Sequence, residues 1–298
     1  MKLSVWPGAG QRWADVLEVA TYAEKHGWDG IWIADHFMAN TEDASGDMLE
    51  CWAVMAALAV AVPRVRLGTL VCGNTYRHPA VLANQAASVD VISGGRVILG
   101  IGGGWQENEH RKYGLDYFTV GERLRRLDEA CQVIKALTTQ ERATFKGEFY
   151  ELDDAPLEPR PVQSPLPLMV GGGGEKVTLR IAAQYADEWN VWGTPETLRR
   201  KIGILEAHGE RLGRDPAEIH KTANALIALS DDQDEVDRLR DNAGPGPPTL
   251  IGTAAELTDI AGQYADAGVN EFIVPDWNLG TGSRRRESYD AIQAAFTA

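Results

Sequence analysis

Short apolar segments that end in glycine recur along the chain, and this recurrence constrains its fold more than any other feature. The clearest segment covers residues 97–101 and breaks into three glycines at 102–104. Another covers residues 168–170 and breaks into four glycines at 171–174. Continuous apolar runs of this length are typical of parallel strands that are buried on both faces. Glycine after such a strand lets the backbone approach a ligand closely.

About eight such segments are spread along the sequence, and helical patterns separate them. Trp13, Val16 and Ala20 lie on one face of the first helix, and later segments repeat this spacing. Helix start signals agree, because Thr253 and Glu256 have the spacing of a capping box. The predicted strands lie at residues 3–6, 30–35, 65–71, 97–101, 168–170, 188–192, 219–229 and 270–275.

This alternation over 298 residues predicts an α/β protein with a (β/α)8 TIM barrel. A doubly wound parallel sheet is the alternative, and the even spread of glycine-terminated strands argues against it. Residues 1–298 are predicted to form a single domain, because one barrel commonly has this length. The one interruption is an excursion at about 138–168, with a hairpin around Lys146 and Gly147.

Composition excludes several classes of partner. The net charge of −14 is unfavourable for binding nucleic acid or an anionic membrane surface. The longest apolar run, residues 53–62, is too short to span a bilayer, and no signal peptide precedes the first strand. The three cysteines lack metal-ligand spacing and are expected to be reduced core residues. We therefore expect a cytoplasmic protein with no metal site.

Motifs along nearly the whole chain resemble, in order, those of the luciferase-like monooxygenase superfamily, and within it the coenzyme F420-dependent oxidoreductases. The resemblance implies a TIM barrel with a flavin or deazaflavin lying across its C-terminal mouth. The matching segments include IADHF at 33–37, LGTLV at 67–71, RHPA at 77–80, LGIGGGW at 99–105, VGGGGE at 170–175, ADEWN at 186–190 and LIGT at 250–253.

The resemblance implies that His36 is the catalytic residue, a proton donor or hydrogen-bond partner at the reactive edge of the cofactor ring. Imidazole suits this role because it exchanges a proton near neutral pH. His110, which follows the glycine turn, is the rival for this role. The implied cofactor-binding residues are Asp35, Leu70, Val71, Gly102, Gly103, Gly104, Asn108, Gly171, Gly172, Gly173, Gly174 and Lys176.

Two groups of these residues have specific implied roles. Leu70 and Val71 match the place where many family members hold a non-prolyl cis peptide behind the ring. Glycines 171–174, with a helix that starts at Glu175 and Lys176, resemble a phosphate-binding turn, because free N–H groups and the helix dipole favour an anion there. Arg180 is a further candidate for positive charge near a polyanionic cofactor tail.

Two positions depart from the sugar-phosphate dehydrogenases of this superfamily. Those enzymes place an acidic residue directly after the glycine turn, where this chain has Trp105, and a tryptophan where this chain has Asn40. A sugar phosphate is therefore not expected as the substrate. Glu109 is close in sequence, but helix geometry is expected to place it a turn away, where it pairs with Arg111 or Arg77.

The leading hypothesis is an oxidoreductase that passes a hydride between coenzyme F420 and a small organic substrate. The alternatives are a flavin (FMN)-dependent monooxygenase of the same superfamily, a non-catalytic cofactor-binding barrel, and a phosphosugar isomerase or aldolase. The non-catalytic barrel draws support from the lack of an obvious second acid near His36. A homodimer is also expected, because the helix at residues 48–58 is apolar on more than one face. The sequence leaves the substrate and the direction of the reaction open.

Overall fold

The structure, a computed structural model, describes residues 1–297. The strands in chain order are β1 (Lys2–Trp6), β2 (Gly30–Ile33), β3 (Arg66–Thr69), β4 (Cys72–Gly73), β5 (Val97–Gly102), β6 (Arg142–Lys146), β7 (Glu151–Pro156), β8 (Leu168–Gly171), β9 (Glu188–Trp192), β10 (His220–Asn224), β11 (Leu226–Leu229), β12 (Thr249–Gly252) and β13 (Glu271–Pro275). The helices are α1 (Trp13–Lys25), α2 (Cys51–Ala61), α3 (Pro79–Ser93), α4 (Glu107–Tyr113), α5 (Val120–Thr139), α6 (Thr178–Tyr185), α7 (Pro195–Leu212), α8 (Gln233–Asp241), α9 (Ala254–Asp266) and α10 (Gly282–Thr297).

Eight parallel strands form a closed barrel in the order β1, β2, β3, β5, β8, β9, β10 and β13, and β13 pairs with β1. The pairing of β3 with β5, through Leu67 opposite Val97, closes the sheet. This closed order confirms the predicted TIM barrel and excludes the open, doubly wound sheet. In a parallel barrel the carboxyl ends of all the strands share one mouth, so the loops that follow the strands meet there.

Helix boundaries follow the capping chemistry that the sequence carries. Thr253 begins α9 with a complete capping box, because its hydroxyl accepts from the Glu256 N–H and the Glu256 carboxylate accepts from the Thr253 N–H. Thr194 caps α7 directly before Pro195. Gly94 follows α3 in the left-handed conformation, with a φ of 71°. These local signals fix where the helices begin and end, and therefore how many residues the loops at the two ends of the barrel contain.

Trp32 fills the centre of the barrel. Its ring belongs to a buried cluster with Ile98 and Ile273 from other strands. Gly68 on the neighbouring strand makes room for the ring, because a Cβ atom at that position would overlap it. The indole Nε1 of Trp32 donates to the Glu271 carboxylate at 3.0 Å. Trp32 therefore forms the floor beneath the C-terminal mouth.

An ion-pair network closes the opposite, amino-terminal end of the barrel. Arg66 donates to Glu188 and, at 2.8 Å, to Glu271, and His220 Nε2 lies 3.2 Å from the Glu271 carboxylate. Burial alone would raise the pKa of Glu271, but the hydrogen bond from His220 and the charge of Arg66 lower it to about 2. Glu188, His220 and Glu271 have ligand atoms close enough to hold a metal ion. The Arg66 guanidinium already supplies positive charge to both carboxylates, so we interpret this network as structural.

Two small sheets lie outside the barrel. β6 and β7 form the predicted hairpin, and the carboxylate of Glu129 on α5 accepts from the backbone N–H groups of residues 148–150 in its turn. The prediction of one strand over residues 219–229 was wrong, because the chain breaks at Ala225 and β11 pairs with β12 outside the barrel. Eleven extended residues would span about 36 Å, whereas the other barrel strands have only four to six residues.

The cysteines and the helices agree with the predictions from composition. Cys51, Cys72 and Cys131 are buried, and none of them forms a disulfide. Within residues 1–297, each helix is too short or too polar to cross a bilayer.

Candidate functional site

A cavity of about 580 Å³ opens at the C-terminal mouth of the barrel. Its two sides differ in chemistry. The glycine side consists of Leu70, Val71, Gly102, Gly103, Gly104, Gly171, Gly172 and Gly173, which follow or end β3, β5 and β8. The tryptophan side consists of Trp6, Trp192 and Trp277, which end or follow β1, β9 and β13. His36, which follows β2, also lines the cavity.

The glycine side depends on close approach between neighbouring backbones. The peptide bond between Leu70 and Val71 is cis, the geometry that the resemblance implied at this place. A Cβ atom on Gly171 would lie 2.8 Å from the Val71 side chain, and one on Gly102 would lie 2.9 Å from it. Gly103 differs, because a Cβ atom there would meet only Leu124, at 3.5 Å. The glycines therefore expose peptide backbone to the cavity beside the side chains of Leu70 and Val71.

His36 is held by a buried carboxylate that the sequence analysis placed elsewhere. Glu109 on α4 is fully buried and accepts hydrogen bonds from His36 Nδ1 at 2.9 Å, from the Phe37 N–H at 2.8 Å and from the Tyr76 hydroxyl. The predicted pairing of Glu109 with Arg111 or Arg77 was wrong. The α4 helix turns Glu109 toward the loop after β2, whereas Arg77 pairs with Asp35.

These contacts determine the tautomer of neutral His36 and the ionisation of Glu109. A carboxylate only accepts hydrogen bonds, so the proton of neutral His36 lies on Nδ1, and Nε2 makes no hydrogen bond within residues 1–297. Burial raises the pKa of Glu109, but the hydrogen bonds from His36, the Phe37 N–H and Tyr76 outweigh it and lower the pKa below its ordinary value. Glu109 is therefore an anion that orients the His36 ring.

Asp35 lines the cavity, but its carboxylate is engaged behind the wall. Arg77 donates to it in a bidentate pair at 2.5 and 2.9 Å, and the carboxylate has no solvent exposure. Arg77 also donates to Glu50 at 3.0 Å. Asp35 thus fixes the end of β2 rather than presenting a free charge to the cavity.

The glycine turn after β8 has free donors, although the helix begins later than predicted. The N–H groups of Gly173, Gly174 and Glu175 have no acceptor among the described residues, whereas the Gly172 N–H donates to the Asn190 carbonyl at 2.9 Å. Residues 175–177 form a turn, and α6 starts at Thr178 instead of at Glu175. The prediction therefore placed the helix about one turn too early.

The positive charge beside this turn comes from a different helix than predicted. Lys176 is exposed and, like Gly174, does not line the cavity. Lys201 on α7 reaches the turn instead, with its Nζ donating to the Gly173 carbonyl at 2.6 Å. Arg180 pairs with Asp128 at 2.6 Å and points away from this role. Lys201 lies 28 positions after Gly173, and only the packing of α7 against α6 brings them together.

Asn108 and His110, both on α4, do not reach the cavity. Asn108 Nδ2 donates to the carbonyls of Ala39 and Thr41, so it holds the loop after β2. His110 is fully buried, with Nδ1 at 2.7 Å from the Gln106 carbonyl and Nε2 at 2.6 Å from the Thr75 hydroxyl. Both ring nitrogens of His110 are engaged, which favours His36 as the histidine that faces a ligand.

Comparison with known proteins identifies the relatives of this barrel. The family model for luciferase-like monooxygenases matches residues 1–295. An F420-dependent glucose-6-phosphate dehydrogenase of Kineococcus radiotolerans is 35% identical over 250 residues, which are 82% of this chain and 72% of that protein. One of Amycolatopsis mediterranei is 38% identical over 174 residues, which are 58% of this chain. This second match spans only half the length of the relative.

A solved structure is similar over the full length. It is an F420-dependent secondary alcohol dehydrogenase in complex with an F420–acetone adduct. It is 26% identical to this chain and has a TM-score of 0.83. The match covers 99% of each of the two chains. The match extends across every strand of the barrel, including those that form the two sides of the cavity.

The buried Glu109 carboxylate predicts how stability depends on pH. Glu109→Gln keeps the shape but removes the charge, and we expect it to lower the free energy of unfolding at pH 7 by about 1–3 kcal/mol. Because the folded-state pKa of Glu109 is lowered, its contribution is present above the ordinary pKa of 4.5 and is lost as the pH falls through the folded-state value. The loss of stability on acidification should therefore be smaller in the variant.

Urea unfolding at pH 7 and pH 3.5 measures this effect. Glu107→Gln on the exposed face of the same helix is the matched control and should behave as the native protein at both pH values. An identical acid dependence in Glu109→Gln and the native protein would show that Glu109 carries no stabilising charge.

Proposed function

Because this chain belongs to the luciferase-like monooxygenase family, we propose that it is an oxidoreductase that passes a hydride between coenzyme F420 and a small organic substrate. The observation that carries the proposal is one cavity that joins a glycine wall, a turn of free N–H groups and an oriented histidine. Relatives whose names state F420 dependence support this cofactor over others.

The residues present fit a phosphorylated deazaflavin. The free N–H groups of residues 173–175 and the nearby Lys201 suit its phosphate, and the wall of Val71 and the glycines suits a flat ring. When bound, F420 supplies a carbon-centred hydride donor or acceptor, which is the redox chemistry of the reaction. The barrel supplies binding, orientation and a proton.

His36 is proposed to hold or accept the proton at Nε2, which faces no other protein acceptor or donor. Glu109 fixes the tautomer through Nδ1 and so leaves Nε2 free to face a ligand. Trp105 packs edge-on against the His36 ring, with centroids 5.5 Å apart, and shields one side of it. The hypothesis of a non-catalytic barrel drew support from the lack of an acid near His36. Glu109 weakens that support, because its carboxylate lies beside the His36 ring.

The other candidate functions have weaker support. An FMN-dependent monooxygenase would use the same phosphate turn, so cofactor binding is the test that separates it. A phosphosugar isomerase or aldolase would need a lysine or paired carboxylates at the strand ends. The described lining of the cavity has no lysine, and its one carboxylate, Asp35, is paired with Arg77.

A homodimer is proposed through α2 and α3, which pack side by side. Val60 is 78% exposed, and Val81 and Ile92 are more than half exposed, so the two helices carry an apolar surface. We expect light scattering to give the mass of a dimer and Val60→Glu to give a monomer. A monomeric native protein would contradict this.

The reduced, buried cysteines support a cytoplasmic location for the protein.

We expect F420 to bind at least tenfold more tightly than FMN, a difference of about 1.4 kcal/mol. Equilibrium titration of both cofactors, followed by quenching of tryptophan fluorescence, measures this.

Gly173→Asp should abolish binding without unfolding the barrel, because its carboxylate would repel the phosphate. Gly203→Ala on α7, where a Cβ atom meets nothing within 4 Å, is the control. Tighter binding of FMN would favour the monooxygenase.

We expect His36→Ala to lower the rate of hydride transfer by roughly 10²-fold, the usual scale for a positioned acid–base group. The affinity for F420 should stay within about tenfold, because His36 lies apart from the phosphate turn. The measurement is single-turnover oxidation of reduced F420 by absorbance, with a panel of ketones. His110→Ala is the comparison and should retain transfer if it folds. Normal transfer in His36→Ala with loss in His110→Ala would reassign the role.

A further inference from the structure

We propose that the tryptophan side binds an uncharged substrate with a flat, apolar body and one hydrogen-bond-accepting oxygen, such as an aryl ketone. The inference rests on the proposed function, in which the glycine side holds the cofactor. The tryptophan side then remains for the substrate, because it lies across the mouth from the glycine wall.

Three indole rings build this wall. The ring centroids of Trp6 and Trp192 are 5.5 Å apart, those of Trp6 and Trp277 are 5.1 Å apart, and those of Trp192 and Trp277 are 5.5 Å apart. Trp6 is buried, whereas Trp277 is half exposed at the rim. The rings are tilted against one another by 45° to 68° and together form an aromatic wall against which a flat apolar body can pack.

The charges around the cavity disfavour an anionic substrate. Among the described residues, no lysine or arginine side chain lines the cavity. Asp35 is its one carboxylate, and Arg77 neutralises it. A phosphate or carboxylate group on this side would lose its hydration against the electron-rich faces of the indoles without gaining a cation. Lys201 lies at the phosphate turn on the other side.

A buried donor without a partner indicates where the substrate oxygen binds. Trp6 Nε1 is buried and makes no hydrogen bond within the described chain. An indole N–H only donates, and a buried donor left unpaired is unfavourable, so an accepting oxygen on a ligand would satisfy it. This requirement also separates a ketone from an organic cation, because an ammonium group has no acceptor to offer.

A second unpaired group lies in the same layer of the barrel. Asn224 on β10 is fully buried and is the register partner of Trp192 on β9, so both side chains point to the lumen. Neither Nδ2 nor Oδ1 of Asn224 has a hydrogen-bond partner. Asn224 does not line the cavity, but it is an uncharged polar group in the layer of Trp192, which matches a neutral polar group on the substrate.

Trp277 is fixed in place by the residue before it. Asp276 is buried and accepts from the Gly8 N–H at 2.9 Å, from Gln11 Nε2 at 2.8 Å and from Arg285 Nη1 at 3.0 Å. This network ties the loop after β13 to the loop after β1. The half-exposed Trp277 ring is thus held beside Trp6 without any ligand, so the wall is preorganised.

Calorimetric titration with matched probes tests the proposal. The probes are 1-indanone, its charged analogue 1-oxoindane-5-carboxylate, and glucose 6-phosphate, each added to the F420-loaded protein. We expect 1-indanone to bind at least tenfold more tightly than either anion. Tighter binding of the carboxylate or of glucose 6-phosphate would overturn the proposal, and so would equal binding of all three.

Three variants locate the binding surface. Trp277→Ala should weaken 1-indanone at least tenfold, whereas Trp277→Phe should stay within about threefold, because a phenyl ring preserves the aromatic wall. Trp6→Phe removes the Nε1 donor together with one ring of the indole, so it should weaken 1-indanone about three- to tenfold more than it weakens indane, which lacks the oxygen. No effect of Trp277→Ala would place the ligand elsewhere and overturn the proposal.

Titration of F420 into each variant separates this proposal from the proposed function. F420 affinity should be unchanged in all three variants, because the glycine side is intact. Failure of the native protein to bind F420 would contradict the proposed function alone if 1-indanone still bound as expected. Normal F420 binding with preference for an anionic probe would contradict only the substrate class.

Discussion

The fit of Trp32 against Gly68 is the constraint on which the site depends. The indole ring fills the lumen of the barrel, and the neighbouring strand accommodates it only because it has no side chain there. Below the ring, Trp32 Nε1 and Arg66 both bind Glu271, which joins the floor to the ion-pair network. Above it, the lumen is empty enough for a cavity. Trp32 therefore separates the closely packed region beneath it from the open cavity above it.

The proposed chemistry of this cavity depends on the Glu109–His36 contact. In that proposal Glu109 acts indirectly, through the histidine ring. Its carboxylate is buried and satisfied by three donors, so it retains its charge despite the loss of hydration. The exposed Trp105 adds apolar surface beside His36.

The two sides of the mouth divide recognition between backbone and side chains. The glycine side presents peptide groups and free N–H donors, which suit a cofactor whose ring and phosphate are fixed features. The tryptophan side presents large rings that substitution can change without altering the strands. Relatives named as glucose-6-phosphate dehydrogenases are 38% and 35% identical over the matched residues, whereas this chain has an aromatic wall without a lysine or arginine in the cavity. Membership of one family is compatible with a different substrate.

The sequence alone determined the barrel, the position of seven of its eight strands and the capping of α7 and α9, because these depend on local apolar runs, glycines and turn chemistry. The sequence also identified His36, Val71 and the two glycine segments as candidate site residues. The tertiary structure alone decided the partners: Glu109 with His36, Lys201 with Gly173, and Trp6 with Trp192 and Trp277. These residues are separated by 28 to more than 270 positions, and their contacts exist only because barrel closure brings the strand ends to one mouth. The pattern of a segment predicts its own conformation, but not which distant side chain will meet it across a closed sheet.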